Sequence, residues 1–351
     1  MTIIHVTASR DYDVLVQPGL LDDAGAQIAQ VLGTGRTAAI VSGETVAGLY
    51  AARLAASLTR AGFRTVTFPY PGGEHCKTLA TYAALLDFLA AHRLSRSDLI
   101  VALGGGVTGD LAGFAAATYQ RGIPFVQVPT TLLAAVDSSV GGKTAIDLDA
   151  GKNLAGAFWQ PCLVLCDPDT LQTLPEEIFA DGCAEVIKYG VLGDEALFAH
   201  LEQYGLAFDR ERVITRCVEM KRDVVAADEF DNGQRQLLNL GHTLGHAVEA
   251  CSAFAVSHGK AVAIGMATVA RAASARGICP TDCAGRIGAV VQKFGLPDRT
   301  AYPLAALCGV MLADKKRRGG AIRVVVPERI GACRLENMPV AALEDFMKAG
   351  L

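Results

Sequence analysis

Three side chains in the second half of the sequence, those of Glu185, His242 and His258, combine the residue types of a metal-binding site. His242 and His246 are four residues apart in a helical pattern, so their side chains face the same way, and His258 lies where the next helix starts. Such a histidine pair can bind one metal ion, or one histidine can bind the metal while the other contacts a substrate. The side chains of Glu185, His242 and His258 supply one carboxylate and two imidazoles. This set leaves a coordination position open for water or substrate, as in catalytic zinc sites.

The residues around these candidates leave a second interpretation open. The two helical histidines can equally be hydrogen-bonded groups on a buried helix, and the long stretches of sequence between Glu185 and the histidines do not show that they meet. Glu185 and Lys188 are three residues apart, which is the spacing of a surface ion pair on one helix face. The flanking residues 183–184 and 186–187 are apolar, which argues against a fully solvated face.

A glycine-rich turn in the first half has the pattern of a nucleotide site. An apolar run at residues 99–103 leads into residues 104–110 (GGGVTGD) and then into an alanine-rich helical segment at residues 111–118. Glycines allow a tight turn and a close approach of the backbone to a pyrophosphate, and the helix start offers free N–H groups to that anion. The spacing differs from G-x-G-x-x-G, so a plain strand-to-helix turn is the alternative.

Lysines lie beside further glycines after the next apolar run, at residues 125–128. Residues 137–143 (DSSVGGK) and 151–153 (GKN) bring two lysines, an aspartate and an asparagine next to flexible turns. Compact positive charge in such turns suits a phosphate or carboxylate ligand. The alternative is an exposed loop with solvated lysines.

Strands and helices alternate through the first half of the chain, which must position these turns. Strands are predicted at residues 37–41, 64–68, 99–103, 125–128 and 162–166, after two short strands within residues 1–17. This order predicts a parallel sheet covered by helices on both faces. Turns follow four of the strands, near Gly43, Gly73, Gly105 and Thr130. Right-handed crossovers place such turns at one edge of the sheet, where open α/β sheets bind their ligands.

The pattern changes after Pro175. Residues 176–277 are almost entirely helical in pattern, and a strand returns at residues 322–326 after a charged run at 314–318 that is typical of a solvated face. We therefore predict two domains. An α/β N-terminal domain with a mostly parallel, Rossmann-like sheet occupies residues 1–174, and a mainly α-helical C-terminal domain occupies residues 175–351.

Composition narrows the classes of partner. The chain has 351 residues, of which 51% are hydrophobic, a net charge of −4 and a pI near 6.0, which argues against nucleic acid or an anionic membrane as the main partner. The sequence contains no signal-peptide pattern and no apolar stretch long enough to span a membrane. The 10 cysteines are expected to be reduced, mostly buried thiols of a cytoplasmic protein. Metal binding by the C-x-x-x-C pairs Cys162/Cys166 and Cys279/Cys283 is the alternative.

Eight segments then occur in a fixed order along nearly the whole chain. They are residues 104–110 (GGGVTGD), 119–122 (YQRG), 129–131 (PTT), 137–143 (DSSVGGK), 151–153 (GKN), 184–189 (AEVIKY), 237–242 (LLNLGH) and 257–259 (SHG). In this order they resemble the 3-dehydroquinate synthase family of the sugar-phosphate cyclase group. The resemblance implies that the first domain binds NAD and that the chain is a shikimate-pathway lyase dependent on NAD and on Zn²⁺ or Co²⁺.

The implied reaction converts 3-deoxy-D-arabino-heptulosonate 7-phosphate to 3-dehydroquinate and phosphate, through transient oxidation by NAD, phosphate elimination, re-reduction and aldol closure. One alternative is another cyclase of the group, although Arg235, Asn239 and His246 suit a carboxylate-bearing substrate. A metal-dependent glycerol-phosphate or alcohol dehydrogenase of similar fold is a second alternative. A binding protein without activity is a third.

The resemblance also assigns residues by position. The metal ligands would be Glu185, His242 and His258. The substrate residues would be Arg121, Asp137, Lys143, Lys152, Asn153, Lys188, Lys221, Arg235, Asn239 and His246. The NAD site would comprise Gly73, Glu74, Lys77, Gly105, Gly106, Val107, Thr108, Gly109, Asp110, Thr130, Thr131, Lys143, Lys152, Thr170 and Thr173.

Arg121 would reach a phosphate from the neighbouring subunit of a homodimer, and one of Lys315 and Lys316 would join the substrate residues. Two positions depart from the family pattern. Gly43 stands where relatives often have Asp or Asn toward the adenosine end of NAD, and Lys260 stands where many relatives have Glu beside the metal ligands.

Overall fold

The computed structural model describes residues 1–313 and 320–351. The chain folds into two compact units: Met1–Leu174 with Arg210–Phe230, and Pro175–Asp209 with Asp231–Leu351. The predicted division after residue 174 differs from this grouping at one segment, because Arg210–Phe230 packs with the first unit. The charged run at residues 314–318, including Lys315 and Lys316, lies outside the described residues.

The first 174 residues alternate between strands and helices, as predicted. In chain order the elements are β1 (Thr2–Val6), β2 (Tyr12–Val16), α1 (Leu20–Leu32), β3 (Thr37–Gly43), α2 (Glu44–Val46), α3 (Ala52–Arg60), β4 (Arg64–Tyr70), α4 (Leu79–Ala91), β5 (Leu99–Gly104), α5 (Gly106–Thr118), β6 (Phe125–Pro129), β7 (Lys143–Leu148), β8 (Gly151–Phe158) and β9 (Leu163–Cys166). Helix α5 starts at the glycine turn itself, earlier than the alanine-rich segment from which it was predicted.

Seven of these strands form one sheet in the order β1-β2-β9-β6-β5-β3-β4. β1 pairs with β2 in antiparallel orientation, and the other neighbours pair in parallel. The prediction of a mostly parallel, Rossmann-like sheet is therefore confirmed. β6 is the central strand and β5 lies beside it, so the turns that follow these two strands are neighbours at the carboxyl edge of the sheet.

Side chains from both faces of the sheet are buried. Leu99 and Val101 pack in a hydrophobic cluster with side chains of α1 and α3, whereas Ile100 and Ala102 pack in a second cluster with side chains of α4 and α5. Successive side chains of a strand point to opposite faces, so a continuous apolar run fits a strand that is covered on both sides. The run at residues 99–103 is such a strand.

β7 and β8 form an antiparallel hairpin that is separate from the large sheet. The sequence analysis placed flexible glycine turns here, with an exposed loop with solvated lysines as the alternative interpretation. Gly156 explains how the two strands approach closely, since a Cβ at this position would lie 2.1 Å from the carbonyl oxygen of Thr144. The interpretation of these lysine-bearing segments as plain loops is therefore wrong.

The rest of the chain is mainly helical, as predicted. Its elements are α6 (Glu176–Gly193), α7 (Glu195–Tyr204), α8 (Arg210–Ala227), α9 (His242–Cys251), α10 (His258–Ala275), α11 (Thr281–Lys293), α12 (Leu304–Ala313), β10 (Ala321–Arg329), β11 (Ala332–Pro339) and α13 (Val340–Lys348). α8 belongs to the first unit, and β10 and β11 form a separate antiparallel ribbon. Within residues 1–313 and 320–351, every helix is too short or too polar to cross a bilayer.

Glycines let the helices of the second unit pack with their backbones in close contact. Gly241, with a φ of +81°, precedes α9, and a Cβ there would lie 2.5 Å from the carbonyl oxygen of Val262 in α10. A Cβ at Gly265 would lie 1.9 Å from the carbonyl oxygen of Gly241. A Cβ at Gly259 would lie 1.9 Å from the carbonyl oxygen of Asp181 in α6. α10 is therefore held close to both α9 and α6.

Candidate functional site

The close packing of α6, α9 and α10 brings the three predicted metal ligands together. Glu185 lies in the middle of α6 and is buried, and His242 and His258 are the first residues of α9 and α10. Glu185 Oε1 lies 3.5 Å from His242 Nε2 and 3.2 Å from His258 Nε2. One donor atom of each residue lies within 4.8 Å of the other two, so the three can share one ion.

Hydrogen bonds on the far side of each imidazole orient the rings. Nδ1 of His242 lies 3.1 Å from the carbonyl oxygen of Leu240, and Nδ1 of His258 lies 3.5 Å from Glu249 Oε2. Such partners direct Nε2 toward a metal and raise its basicity. The sequence prediction missed Glu249. Its signal was the helical spacing, because Glu249 follows His242 by seven residues and therefore lies on the same face of α9.

The pKa values of the two histidines are displaced in opposite directions. Burial lowers the pKa of His242 to about 3, against the attraction of Glu185. Burial would also lower the pKa of His258, but hydrogen bonds to Glu185 and Glu249 outweigh it and raise this pKa to about 10. One carboxylate and two imidazoles form a donor set that suits Zn²⁺ or Co²⁺, so the residues fit such an ion.

Lys188 lies one turn after Glu185 on α6. Its Nζ is 2.5 Å from Glu185 Oε2, and the side chains of both residues are only 1% exposed. A surface ion pair is therefore excluded. A buried lysine beside a carboxylate keeps a positive charge in the interior, where it is costly unless it is paired. The ion pair fixes the carboxylate with Oε1 toward the histidines.

A pocket of about 710 Å³ in the second unit adjoins this cluster. It is lined by Asp231, Gln236, Asn239, His242, Thr243, His246, Ala247, Val310, Met311, Ala321, Arg323, Val325 and Leu335. The predicted substrate residues Asn239 and His246 thus face the same pocket as the ligand His242. Arg235, also predicted to bind substrate, is buried in the 3₁₀ helix Gln234–Asn239.

In the first unit, the turns after β5 and β6 are joined. The backbone N–H of Thr130 donates to the carbonyl oxygen of Gly104 at 2.9 Å. A Cβ at Gly105 would lie 3.0 Å from Cγ2 of Thr131, so glycine lets these turns touch just where α5 begins. The predicted NAD residues of both turns therefore lie side by side. A helix start with free N–H groups next to small residues can receive a phosphate.

A charged cluster occupies the same unit. The Nζ of the buried Lys77 lies 2.5 Å from Asp110 Oδ2 and donates a hydrogen bond to Oδ1 of Asn153. Glu74 lies 3.7 Å from the Nζ of Lys152 and 4.0 Å from that of Lys77. Five residues predicted for the NAD and substrate sites are therefore in one network, although they come from separate parts of the sequence.

Burial governs the titration of the central pair of this network. Burial raises the pKa of Asp110 to about 6, and the charge of Lys77 only partly opposes it. For Lys77, burial would lower the pKa, but the attraction of Asp110 outweighs it and raises the pKa. The ionised carboxylate is thus held in place mainly by its lysine partner.

Two further predicted substrate residues pair within the first unit. Lys221 of α8 is buried, and its Nζ lies 3.0 Å from Asp137 Oδ1 and 2.6 Å from the carbonyl oxygen of Asp137. Lys221 is 84 residues from Asp137 in sequence, and the packing of α8 against the first unit explains the contact. Lys143 is exposed at the start of β7.

Thr170 and Thr173, predicted to line the NAD site, lie in the 3₁₀ helix after β9. The Tyr50 hydroxyl lies 2.5 Å from Oγ1 of Thr173 and 3.1 Å from the carbonyl oxygen of Thr170. The sequence prediction missed Tyr50, which no motif marks. Gly43, which departs from the family pattern, lies beside Gly72. A Cβ added at Gly43 would lie 3.4 Å from the Cα of Gly72.

The remaining predicted positions lie outside these clusters. Arg121 is exposed, with a φ of +66°. Lys260, the second departure, forms an ion pair with Glu177, and its backbone N–H donates to Asp181 Oδ1 at 3.0 Å. Its side chain is thus directed at α6 residues that precede Glu185 in sequence.

Two family models match the chain: 3-dehydroquinate synthase N-terminal at residues 65–181 and 3-dehydroquinate synthase C-terminal at residues 182–317. The 3-dehydroquinate synthase of Caulobacter vibrioides is 49% identical over an alignment of 356 positions, and the alignment covers 96% of this chain and 95% of the relative.

Two solved structures are similar over nearly the whole chain. The 2-epi-5-epi-valiolone synthase of Streptomyces hygroscopicus, solved with NAD⁺ and Zn²⁺, is 29% identical with a TM-score of 0.87 and coverage of 99% and 97%. A 2-deoxy-scyllo-inosose synthase, solved with carbaglucose-6-phosphate, NAD⁺ and Co²⁺, has a TM-score of 0.89 over 100% of both chains at 24% identity, and so shows the fold alone. The domain matches and the near-complete alignment at high identity agree, and the chain therefore belongs to the 3-dehydroquinate synthase family.

Proposed function

We propose that this chain catalyses the conversion of 3-deoxy-D-arabino-heptulosonate 7-phosphate to 3-dehydroquinate and phosphate, with NAD and Zn²⁺ or Co²⁺ as cofactors. The observation that carries the proposal is the convergence of Glu185, His242 and His258, which are distant in sequence, in a member of this family. The NAD⁺ and Zn²⁺ of the 2-epi-5-epi-valiolone synthase support the same cofactors here.

Bound to these ligands, the metal ion would supply Lewis-acid chemistry and NAD would supply reversible hydride transfer. The protein residues orient the donors for this chemistry. Lys188 fixes one oxygen of Glu185, and Glu249 and the Leu240 carbonyl fix the two imidazoles. The low pKa of His242 keeps its ring neutral at physiological pH, as a metal ligand requires, whereas His258, whose pKa is raised, would lose a proton when the ion binds.

The proposed NAD site uses the joined turns of the first unit. The N–H groups at the start of α5 would face the pyrophosphate, and Gly105 leaves room for it. Lys77 would stay charged beside Asp110, because its pKa is raised by that partner. Thr170 and Thr173 are held by Tyr50, which fixes the backbone of this part of the proposed site.

The cationic side chains suit a substrate that carries both a carboxylate and a phosphate. Lys143, Lys152, Lys188, Lys221 and Arg235 are the proposed anion-binding residues, with Asp137, Asn153, Asn239 and His246 for hydroxyl groups and further hydrogen bonds. Arginine and lysine bind such oxyanions through charge-assisted hydrogen bonds. The second candidate is a cyclase that acts on a non-acidic sugar phosphate, because the 2-deoxy-scyllo-inosose synthase solved with carbaglucose-6-phosphate has the same fold.

We also propose a cytoplasmic homodimer in which Arg121 acts on the substrate of the neighbouring subunit. Arg121 is exposed, and the side chains of Leu154 and Phe158 on the β7–β8 hairpin are 59% and 41% exposed, which is the kind of apolar surface that a partner covers. The 10 cysteines are free, which suits a reducing compartment. Sedimentation velocity at micromolar concentration tests the dimer.

The test of the activity is phosphate release from 3-deoxy-D-arabino-heptulosonate 7-phosphate by metal-loaded protein with NAD. We expect turnover that a chelator abolishes and Zn²⁺ or Co²⁺ restores, with no net accumulation of NADH. Accumulating NADH would indicate a dehydrogenase instead. A preference for glucose 6-phosphate or a heptulose 7-phosphate in the same assay would establish the second candidate, and no phosphate release from any of the three substrates would refute the proposal.

A further inference from the structure

One wall of the second-unit pocket is a face of the β10–β11 ribbon. Ala321, Arg323 and Val325 alternate along β10, so their side chains share one face, and all three line the pocket. Leu335 of β11 pairs with Val325 in register and lines the pocket as well. Arg323 is the one charged member of these four residues. It faces the same pocket as the proposed metal ligand His242.

Arg323 is positioned by an amide instead of a carboxylate. Its Nη1 donates a hydrogen bond to Gln236 Oε1 at 2.9 Å, and Gln236 Nε2 donates to the carbonyl oxygen of Asp231 at 3.3 Å. In the part of the chain that the structure describes, Arg323 forms no ion pair. By contrast, Arg334 of β11 is 3.0 Å from both Glu328 and Glu336.

The Gln236 hydrogen bond occupies only one of the five N–H donors of the Arg323 guanidinium, and among the described residues no carboxylate offsets its positive charge. Its planar fork matches the two oxygens of a carboxylate or phosphate. Arg323 is exposed to solvent, and its hydrogen bond to Gln236 restricts the side chain before a ligand arrives, which favours binding.

We propose that Arg323 is a specificity-determining residue that binds an oxyanion of the substrate, either its carboxylate or its phosphate. This inference rests on the proposed function, because the substrate proposed there carries both groups. Arg323 lies outside the motifs that carry the family resemblance, and its alternation with two apolar pocket residues places it at the site.

The experiment compares Arg323→Gln, Arg323→Lys and the matched control Arg334→Gln in the phosphate-release assay. Loss of a charge-assisted hydrogen bond raises KM about 10- to 100-fold in Arg323→Gln, with a smaller change in kcat. Arg323→Lys keeps the charge but not the fork, so its KM falls between those of the wild type and Arg323→Gln. Arg334→Gln is expected to leave KM unchanged. Wild-type KM in Arg323→Gln would overturn the inference.

A purely structural role predicts a different pattern. If Arg323 only supported the 3₁₀ helix through Gln236, then Gln236→Met would raise KM as much as Arg323→Gln, and both would lower the thermal unfolding midpoint. We expect Arg323→Gln to raise KM at least several-fold more than Gln236→Met, with a midpoint close to that of the wild type. Equal effects in the two variants would refute oxyanion binding.

Product inhibition identifies the oxyanion. If Arg323 binds the phosphate, the inhibition constant for inorganic phosphate rises in Arg323→Gln, and if it binds the carboxylate, the constant for 3-dehydroquinate rises. A wild type that releases no phosphate would refute the proposed function but would leave the inference about Arg323 testable. Calorimetric titration with inorganic phosphate and with 3-dehydroquinate would then compare the affinities of the wild type and Arg323→Gln for each anion. Equal affinities of the two proteins for both anions would overturn the inference in either case.

Discussion

Replacing Glu249 by Gln tests whether the hydrogen bond behind His258 supports metal binding. Glu249 is buried in α9, and its Oε2 lies 3.5 Å from His258 Nδ1, on the opposite side of the ring from Glu185. A carboxylate in this position orients the imidazole and makes its other nitrogen a stronger donor. The change to Gln keeps the size and an acceptor oxygen but removes the charge.

The geometry sets the expected magnitude. Removing such a partner of a metal-bound histidine lowers metal affinity about 10- to 100-fold. The 3.5 Å separation is at the long end for a hydrogen bond, and Gln can still accept, so we expect the lower limit, about tenfold or roughly 1.4 kcal/mol. Glu249→Ala removes the acceptor altogether, so we expect a loss nearer 100-fold.

The assay is competition for Zn²⁺ between the protein and a chromophoric chelator at fixed pH, which measures the dissociation constant without turnover. Glu336→Gln is the control, because Glu336 is a half-buried glutamate that pairs with Arg334 on the β10–β11 ribbon. Circular dichroism confirms that each variant is folded. An unchanged dissociation constant in both Glu249→Gln and Glu249→Ala would refute the idea that Glu249 positions His258 for metal.

Two further predictions concern the architecture of each unit. Burial raises the pKa of Asp110 from 3.8 to about 6, so the native state binds the proton more tightly than the unfolded state does. The contribution of Asp110 to the free energy of unfolding is therefore complete below pH 3.8. It falls by about 2–3 kcal/mol as the pH rises through 6. Thermal unfolding at pH 4.5 and pH 7 should therefore show a wild-type advantage over Asp110→Asn that shrinks at pH 7, and a constant difference would contradict this. Gly259→Ala places a Cβ 1.9 Å from the Asp181 carbonyl oxygen and should lower the free energy of unfolding by at least about 2 kcal/mol in urea. In the control Gly285→Ala an added Cβ meets nothing within 4 Å, so we expect a neutral or slightly stabilising effect, and equal effects would refute the packing argument.

Much of the first unit could be predicted from local pattern. A continuous apolar run such as residues 99–103, followed by glycines and a helix, specifies a buried strand and its turn within a short window. The hairpin β7–β8 was missed, because its glycines and polar residues resemble a loop. The close approach of its two strands, in which the Thr144 carbonyl oxygen occupies the space of a Cβ at Gly156, is visible only in the structure. The grouping of α8 with the first unit was also missed, since it depends on tertiary packing such as that of Lys221 against Asp137.

The candidate site shows the same limit. The spacing of His242 and His246 indicated metal chemistry, but only the glycine-mediated packing of α10 against α6 and α9 brings His258 to Glu185. Glu249 and Arg323 had no motif, because their roles depend on which face of α9 or β10 turns toward the cluster and the pocket. Sequence resemblance supplied residue types at positions, and the packing of the helices supplied the distances.

The central claim is that Glu185, His242 and His258 bind one metal ion. It is tested most directly by crystals of the protein grown with Zn²⁺ and NAD, with diffraction measured at the zinc absorption edge. We predict a single anomalous peak about 2.0–2.2 Å from Oε1 of Glu185 and Nε2 of His242 and His258. A peak centred instead among His246, Glu249 and His258, the second group among the described residues whose donor atoms lie close enough to share an ion, would contradict the account. The absence of any peak in the second unit would contradict it as well.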